Sequence, residues 1–448
     1  MKFLFIADDI TIFGGAERVI TNLANVMSKM QDEKGKNEIE IFSLHRINEH
    51  LPYHLDLNVK VSFYTQPATK NDIKQIKNFY KRFAIKFKVI LLKVKFFILH
   101  FRILKTDEIL SRMLSAKISH CESDIVLDNT VFSYHPFYKN SNTKYIMLMH
   151  ASYSEKATFL KRKYFNDLKD YDALVILSHA EFSIWQKFNK NVRVIPNFLP
   201  QIPSLSTTYS QKAVLSVGRL SKEKGFLRLL DIWKLVQDTI NNPSLHESVP
   251  HCHSEQSAKH EAKNLKEIHK DNENSLDSSA TLSHQNDKSL DSRNDDNLTQ
   301  WQLIIVGDGV LKKELESKIK ALNLQESVIL KPFTKQIEKE YLSASIYAMS
   351  SHFEGFGMVL AEASSYALPC VAFDVKTGPS DIIDNEKSGF LVEDNDLQGY
   401  ADKLMLLMRD ENLRQNFGTK AKQVVSEKFS KEVVMKEWQG LFDGLCGG

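Results

Sequence analysis

Leu303-Ile304-Ile305-Val306-Gly307-Asp308-Gly309 decides how the chain folds. Its unbroken apolar run reads as a strand buried on both faces, the glycines supply a tight turn, and a helical pattern from Leu311 to Ala321 follows. The same unit recurs outward in both directions. Ala213 to Val217, Ser327 to Leu330 and Pro369 to Phe373 are further apolar strands, with helical stretches at Met358 to Ser365 and Leu397 to Met408. Nearer the N-terminus, Phe3 to Ala7 leads through Gly14-Gly15 into a helix from Glu17 to Met30, and Tyr145 to Met149 and Ala173 to Leu177 repeat the strand pattern. Apolar strands separated by helices imply parallel sheets covered on both faces. The pattern restarts near Ala213 after Val194-Ile195-Pro196-Asn197, which reads as a linker. The expected fold class is α/β: two doubly wound Rossmann-like domains, residues 1–198 and 199–430, facing across a cleft that binds ligand at the strand C-termini.

The composition is that of an ordinary globular protein, with 42% hydrophobic and 26% charged residues in 448. Cys121, Cys252, Cys370 and Cys446 are scattered, which excludes a disulfide scaffold and a paired-cysteine metal knuckle and fits a reducing cytoplasm. Asp8 and Asp9 interrupt the first apolar run early, so a secretory signal is not expected. A net charge of +3 argues against a general nucleic-acid binder.

That small sum conceals two unusual segments. Ile73 to Lys105 carries ten basic and no acidic residues, with Lys74, Lys81, Lys88, Lys95 and Arg102 seven apart and Phe79, Phe83, Ile90, Phe97 and Leu104 among its apolar residues. Its charges prevent it from spanning a bilayer, but a basic amphipathic helix of this kind suits the surface of an anionic membrane. Asn241 to Gln300 has six basic and eleven acidic residues, no aromatic side chain and a repeated Ser-Leu-Asp-Ser at 275 and 289. It cannot bury enough apolar surface to form a core and reads as a disordered insertion. His251-Cys252-His253 within it lacks a fourth ligand at fixed spacing and reads as linker.

The strongest chemical motif is His352-Phe353-Glu354-Gly355-Phe356-Gly357-Met358-Val359-Leu360-Ala361-Glu362. A glycine-rich loop runs there into a helix N-terminus, where unpaired backbone N–H groups favour phosphate. Glu362 lies in the first turns, where a carboxylate can accept from ribose or sugar hydroxyls. Gly218-Arg219-Leu220-Ser221-Lys222-Glu223-Lys224-Gly225 follows a strand and offers Arg219 as a fork and Lys224 as a point charge for phosphate oxygens. Gly307 and Gly309 begin a dinucleotide fingerprint, but position 312 is Lys, and no GxxxxGK[ST] occurs. These two absences disfavour a dehydrogenase and a P-loop kinase. Asp394-Asn395-Asp396 reads as a solvated turn.

Taken in order, Gly14-Gly15-Ala16-Glu17-Arg18, Ile195-Pro196-Asn197, the Gly218–Gly225 run, Val306-Gly307-Asp308-Gly309 and the Glu354/Glu362 pair resemble the family 4 retaining glycosyltransferases of the GT-B fold. The resemblance implies a nucleotide-sugar donor, most often a UDP-sugar. It implies that Gly14 and Gly15 let the first-domain loop approach the donor diphosphate, and that Arg219 and Lys224 neutralise it as it leaves. Glu354 would bind the transferred sugar, with Gly218, Gly307, Gly355 and the amides of Phe356, Gly357 and Met358 around the phosphates and Glu362 on the ribose. His150, directly after a strand, would face the donor sugar. No metal is expected, since the two cations can take its place, and the transfer would retain anomeric configuration. The acceptor would be a lipid-linked or envelope glycan at the cytoplasmic face of the inner membrane. Asp381, in Gly378-Pro379-Ser380-Asp381-Ile382-Ile383, stands where the family often has a glutamate, so it stays outside the site. Residues 431–448 resemble the family's final helix, which returns to the first domain. An epimerase of similar fold would turn over nucleotide sugar without an acceptor, and a silent scaffold would have lost Arg219, Lys224 or Glu354.

Overall fold

The computed structural model describes residues 1–32, 35–64, 111–112, 114–116, 118–130, 134–150, 152–153, 162–242, 298 and 300–446. The basic stretch 73–105 and most of the acidic stretch, 243–297, lie outside the described residues.

Two parallel sheets form the frame. The first contains β1 (Lys2–Ala7), β2 (Glu38–Ser43), β3 (Val59–Phe63), β4 (Ile125–Asp128), β5 (Lys144–Met149), β6 (Ala173–Ile176) and β7 (Val192–Val194). Their spatial order is β3-β2-β1-β4-β5-β6-β7. The second contains β8 (Ala213–Val217), β9 (Gln302–Val306), β10 (Val328–Lys331), β11 (Ile346–Met349), β12 (Cys370–Phe373) and β13 (Gly389–Val392), in the order β10-β9-β8-β11-β12-β13. Every pairing within these two sheets is parallel. The strand order reverses between β1 and β4 in one sheet and between β8 and β11 in the other. Loops that leave neighbouring strands in opposite directions open a crevice at such points.

The two-residue period of a strand explains the packing. Phe3 and Phe5 of β1 enter one apolar cluster while Leu4 and Ile6 enter the cluster on the opposite face. Leu303 and Ile305 of β9 divide from Ile304 and Val306 in the same way. The helices that cover these faces include α1 (Gly15–Met27), α2 (Phe226–Asn241), α3 (Lys312–Ala321), α4 (Met358–Ser365), α5 (Leu397–Arg409), α6 (Glu411–Phe429) and α7 (Lys431–Cys446).

α7 belongs to the first domain by packing although it ends the chain. Its Val434, Met435, Trp438, Leu441 and Phe442 join the β1 cluster, and the Phe442 ring lies 5.1 Å from that of Phe3. The two passages between domains touch where they cross: the Leu199 N–H donates to the Phe429 carbonyl at 2.8 Å.

The expected insertion at 241–300 is too wide at both ends. Asn241 is the last residue of α2, and Leu298 is buried beside Trp301 in the second domain's core. Burial of Ile240 on one side and of Leu298 and Trp301 on the other draws the chain into the fold before the polar stretch begins and after it ends.

Candidate functional site

The second sheet's reversal point brings the two phosphate-type loops together. β8 ends at Val217, and the Gly218 N–H donates to the Val306 carbonyl at 3.0 Å. A Cβ on Gly307 would lie 1.9 Å from the Gly218 carbonyl oxygen, so these loops meet backbone against backbone. Gly225 has φ +66°, a region that glycine occupies without strain. A Cβ there would sit 1.9 Å from the Ser350 carbonyl oxygen. The 218–225 loop is thereby pressed onto the loop leaving β11, and the His352 N–H donates to the Glu223 carbonyl at 2.8 Å.

That contact places Lys224 on Glu354. Nζ lies 2.6 Å from Oε1, and the Ser351 hydroxyl donates to the same oxygen at 2.6 Å. The Thr377 hydroxyl holds the Glu354 carbonyl. Glu354 is buried at 8% exposure, while Lys224 retains some access to the cleft. Arg219 is exposed and reaches Glu223 at 3.3 Å.

Gly355 is half-buried, and Gly357, at φ +91°, caps the start of α4. The Leu360 and Ala361 N–H groups return to the Gly357 carbonyl, whereas Met358 and Val359 belong to the first turn, whose amides have no intrahelical acceptor. The Phe356 ring is buried, edge-on to Phe429 at 5.1 Å, so this residue offers the site only its backbone.

The first sheet's reversal point faces this assembly. Gly14 is the N-cap of α1, and the Tyr53 hydroxyl donates to its carbonyl at 3.0 Å. A side chain at Gly15 would meet nothing within 4 Å, so the backbone there is open to approach. His150 follows β5, with Nε2 3.0 Å from Asn129 Oδ1 at the end of β4. It also borders a small apolar cavity lined by Val19, Leu148, Ile195, Phe198 and Trp438.

Among the described residues, the contacts between the domains include ion pairs and an aromatic pair. Arg18 Nη1 lies 2.6 Å from Glu362 Oε1, and the Phe13 and Phe333 rings are 5.7 Å apart. Lys376 Nζ lies 3.7 Å from Glu181 Oε1. Burial raises the pKa of the Glu17 carboxyl and Asp8 and Asp9 push it further, while the Arg219 guanidinium from the other domain opposes them.

Glu362 is more enclosed than a carboxylate waiting in solvent. Its side chain is 10% exposed, Oε2 accepts from the Tyr341 hydroxyl at 3.1 Å, and its charge raises the Arg18 pKa. Asp394-Asn395-Asp396 is the exposed turn expected from the sequence, and it also holds a buried arginine. Buried Arg228 donates from Nη1 to Asp394 Oδ1 at 2.7 Å and to Asn395 Oδ1 at 3.1 Å, and Asp396 caps α5. Burying a guanidinium requires acceptors on all sides, and this turn supplies two of them. Arg228 also donates to the Ser350 and Ser351 carbonyls and lies over the Phe373 ring, fixing the start of the loop that carries Glu354. An arginine inside the apolar run Phe226-Leu227-Arg228-Leu229-Leu230 was the available signal. Asp381 accepts from the Gly378 N–H at 3.2 Å and closes its own turn.

Two doubly wound parallel sheets with their reversal points turned toward each other define the GT-B architecture. Residues 284–424 match the family described as Glycosyl transferases group 1. It is 31% identical over 278 residues to the amylovoran biosynthesis glycosyltransferase AmsD of Erwinia amylovora, covering 60% of this chain and 61% of that one. It is 35% identical over 139 residues to a poly(ribitol-phosphate) alpha-N-acetylglucosaminyltransferase of Staphylococcus aureus, covering 31% of this chain and 28% of that one. The chain thus spans less than two thirds of either relative. Anabaena HepE, solved in complex with UDP and glucose, shares the fold over 100% of both chains with a TM-score of 0.61 and 16% identity.

Proposed function

We propose that the protein is a retaining glycosyltransferase of the family 4 type, moving a hexose or N-acetylhexosamine from a nucleotide sugar, a UDP-sugar in this reading, to a lipid-linked or envelope glycan. The observation that carries this reading is the Lys224–Glu354 pair, drawn from loops 130 residues apart and set beside the start of α4. Breaking a sugar–diphosphate bond creates an oxocarbenium-like carbon and new negative charge on the leaving oxygen. Lys224, Arg219 and the first amides of α4 supply positive potential where that charge develops, and this is usually the largest catalytic contribution. Glu354 can accept from hydroxyls of the transferred sugar while it holds Lys224 in place. Attack on the face from which the diphosphate leaves retains configuration, and the departing phosphate takes the acceptor's proton. The two cations serve in place of a divalent metal.

Relatives named for amylovoran biosynthesis and poly(ribitol-phosphate) modification support an envelope polymer as the acceptor class. The basic stretch 73–105 supports attachment to the cytoplasmic face of the inner membrane. The test is transfer from a panel of nucleotide sugars to envelope extract, with and without chelator, followed by NMR of the anomeric linkage. An inverted product, activity lost with chelator, or donor turnover without an acceptor would overturn the respective part.

A further inference from the structure

The Arg18–Glu362 contact joins the two domains at the carboxylate that this reading gives to the donor ribose. We propose that Arg18 is the first domain's contribution to the ribose subsite, so that the subsite is complete only when the domains meet. The inference rests on the nucleotide-sugar reading and concerns a residue to which that reading gives no role.

The geometry supports it in three ways. First, the ion pair is short, at 2.6 Å, and it links α1 to α4. Neither domain alone can fix the Glu362 carboxylate from both sides. Second, the acceptor count suits a vicinal diol. A carboxylate has about four acceptor positions. Arg18 faces Oε1 and Tyr341 donates to Oε2, leaving roughly one position on each oxygen for two hydroxyl protons. Third, a hydroxyl that donates to Glu362 still needs a donor for its own lone pairs. The guanidinium carries five N–H groups in a planar fork, more than one carboxylate oxygen can accept, and the Arg18 side chain is 36% exposed.

Arg18 thus aims the carboxylate and supplies donors to the same diol. The pair also couples recognition to domain approach: a ribose bound at Glu362 favours the arrangement in which Arg18 is present.

The test measures affinity for UDP and for 2′,3′-dideoxy-UDP by calorimetry in the full chain, comparing wild type with Arg18→Gln, Arg18→Lys and Glu362→Gln. Arg18→Gln should weaken UDP binding about tenfold and leave dideoxy-UDP binding within about twofold of wild type. Arg18→Lys should recover part of the UDP affinity, because it restores the charge without the fork. Equal losses with both nucleotides would mean that Arg18 serves the diphosphate or domain closure alone, and would overturn the inference. Unchanged or tighter UDP binding in Arg18→Gln would overturn it too, the latter by showing Arg18 to be a competitor for Glu362. Failure of wild type to bind UDP, or unchanged binding in Glu362→Gln, would defeat the ribose assignment itself. Melting curves confirm that each variant is folded.

Discussion

Lys224→Ala separates the chemical role proposed for the Lys224–Glu354 pair from its structural one. The ammonium lies 2.6 Å from a carboxylate that is only 8% exposed. Removing one positioned donor to developing negative charge costs about 10²–10³ in kcat. The substitution also leaves Glu354 without its cation, and a buried charge that loses its partner can cost about 3–5 kcal/mol. Two features reduce that figure here: the Ser351 hydroxyl still donates at 2.6 Å, and Lys224 is 22% exposed, so water reaches the pair. A loss of about 1–2 kcal/mol follows, or a Tm lower by several degrees. Adding Glu354→Gln removes the stranded charge, so the double variant should recover most of the Tm and none of the transfer. The assay is single-turnover transfer beside a thermal melt. If Lys224→Ala keeps kcat within about threefold of wild type, or the double variant regains transfer along with stability, the lysine is structural and the leaving-group argument is wrong.

Three further perturbations have defined outcomes. Arg228→Met removes the donors to Ser350, Ser351, Asp394 and Asn395 and should lower stability by about 3–5 kcal/mol in denaturant titrations, an unchanged midpoint excluding the clamp. Gly225→Ala puts a side chain at φ +66° and 1.9 Å from the Ser350 oxygen, so it should cost about 1–3 kcal/mol and reduce transfer more than it reduces nucleotide binding. Burial raises the Asp128 carboxyl to a pKa of about 7, against hydrogen bonds from Tyr171 and Thr130 that lower it. Its stabilising contribution is full below about pH 4 and is lost as pH rises through 7, so melting curves for Asp128→Asn should lack wild type's decline across that window.

The architecture was legible because its signal is local and repeated. A run such as Leu303 to Val306 is apolar on both faces only in a covered parallel sheet, and the glycine turn after it announces a change of direction. Strands with polar interruptions were less visible. β2, Glu-Ile-Glu-Ile-Phe-Ser, places two glutamates in a strand whose burial comes from its neighbours, and Glu40 is satisfied by Lys60 and Ser62 from β3. The site loops were legible as motifs because glycines at positive φ or under close backbone contact tolerate little else. Their partners were not. Nothing near Glu354 in sequence identifies Lys224, and nothing near Arg18 points to Glu362, because the first pair is created by strand order within one sheet and the second by the meeting of two domains.

The same limit applies to reading charge. Arg219 and Lys224 look in sequence like cations offered to an anionic ligand, yet they, and Arg18 with them, each face a carboxylate: Glu223, Glu354 and Glu362 respectively. The formal sum over these six groups is zero, so net charge would not by itself explain the proposed recognition of a diphosphate. What the carboxylates provide is order. A lysine or arginine free in a wet cleft samples many rotamers and loses that freedom on binding, whereas one already held within 2.6–3.3 Å of a fixed acceptor begins near its working position. The donors at the start of α4 are fixed by the backbone and carry no compensating carboxylate of their own in the helix's first turn. The cleft can therefore be electrically balanced when empty and still be arranged for an anion, with Lys224 and Arg18 held by the two carboxylates to which the proposal gives the sugar and the ribose.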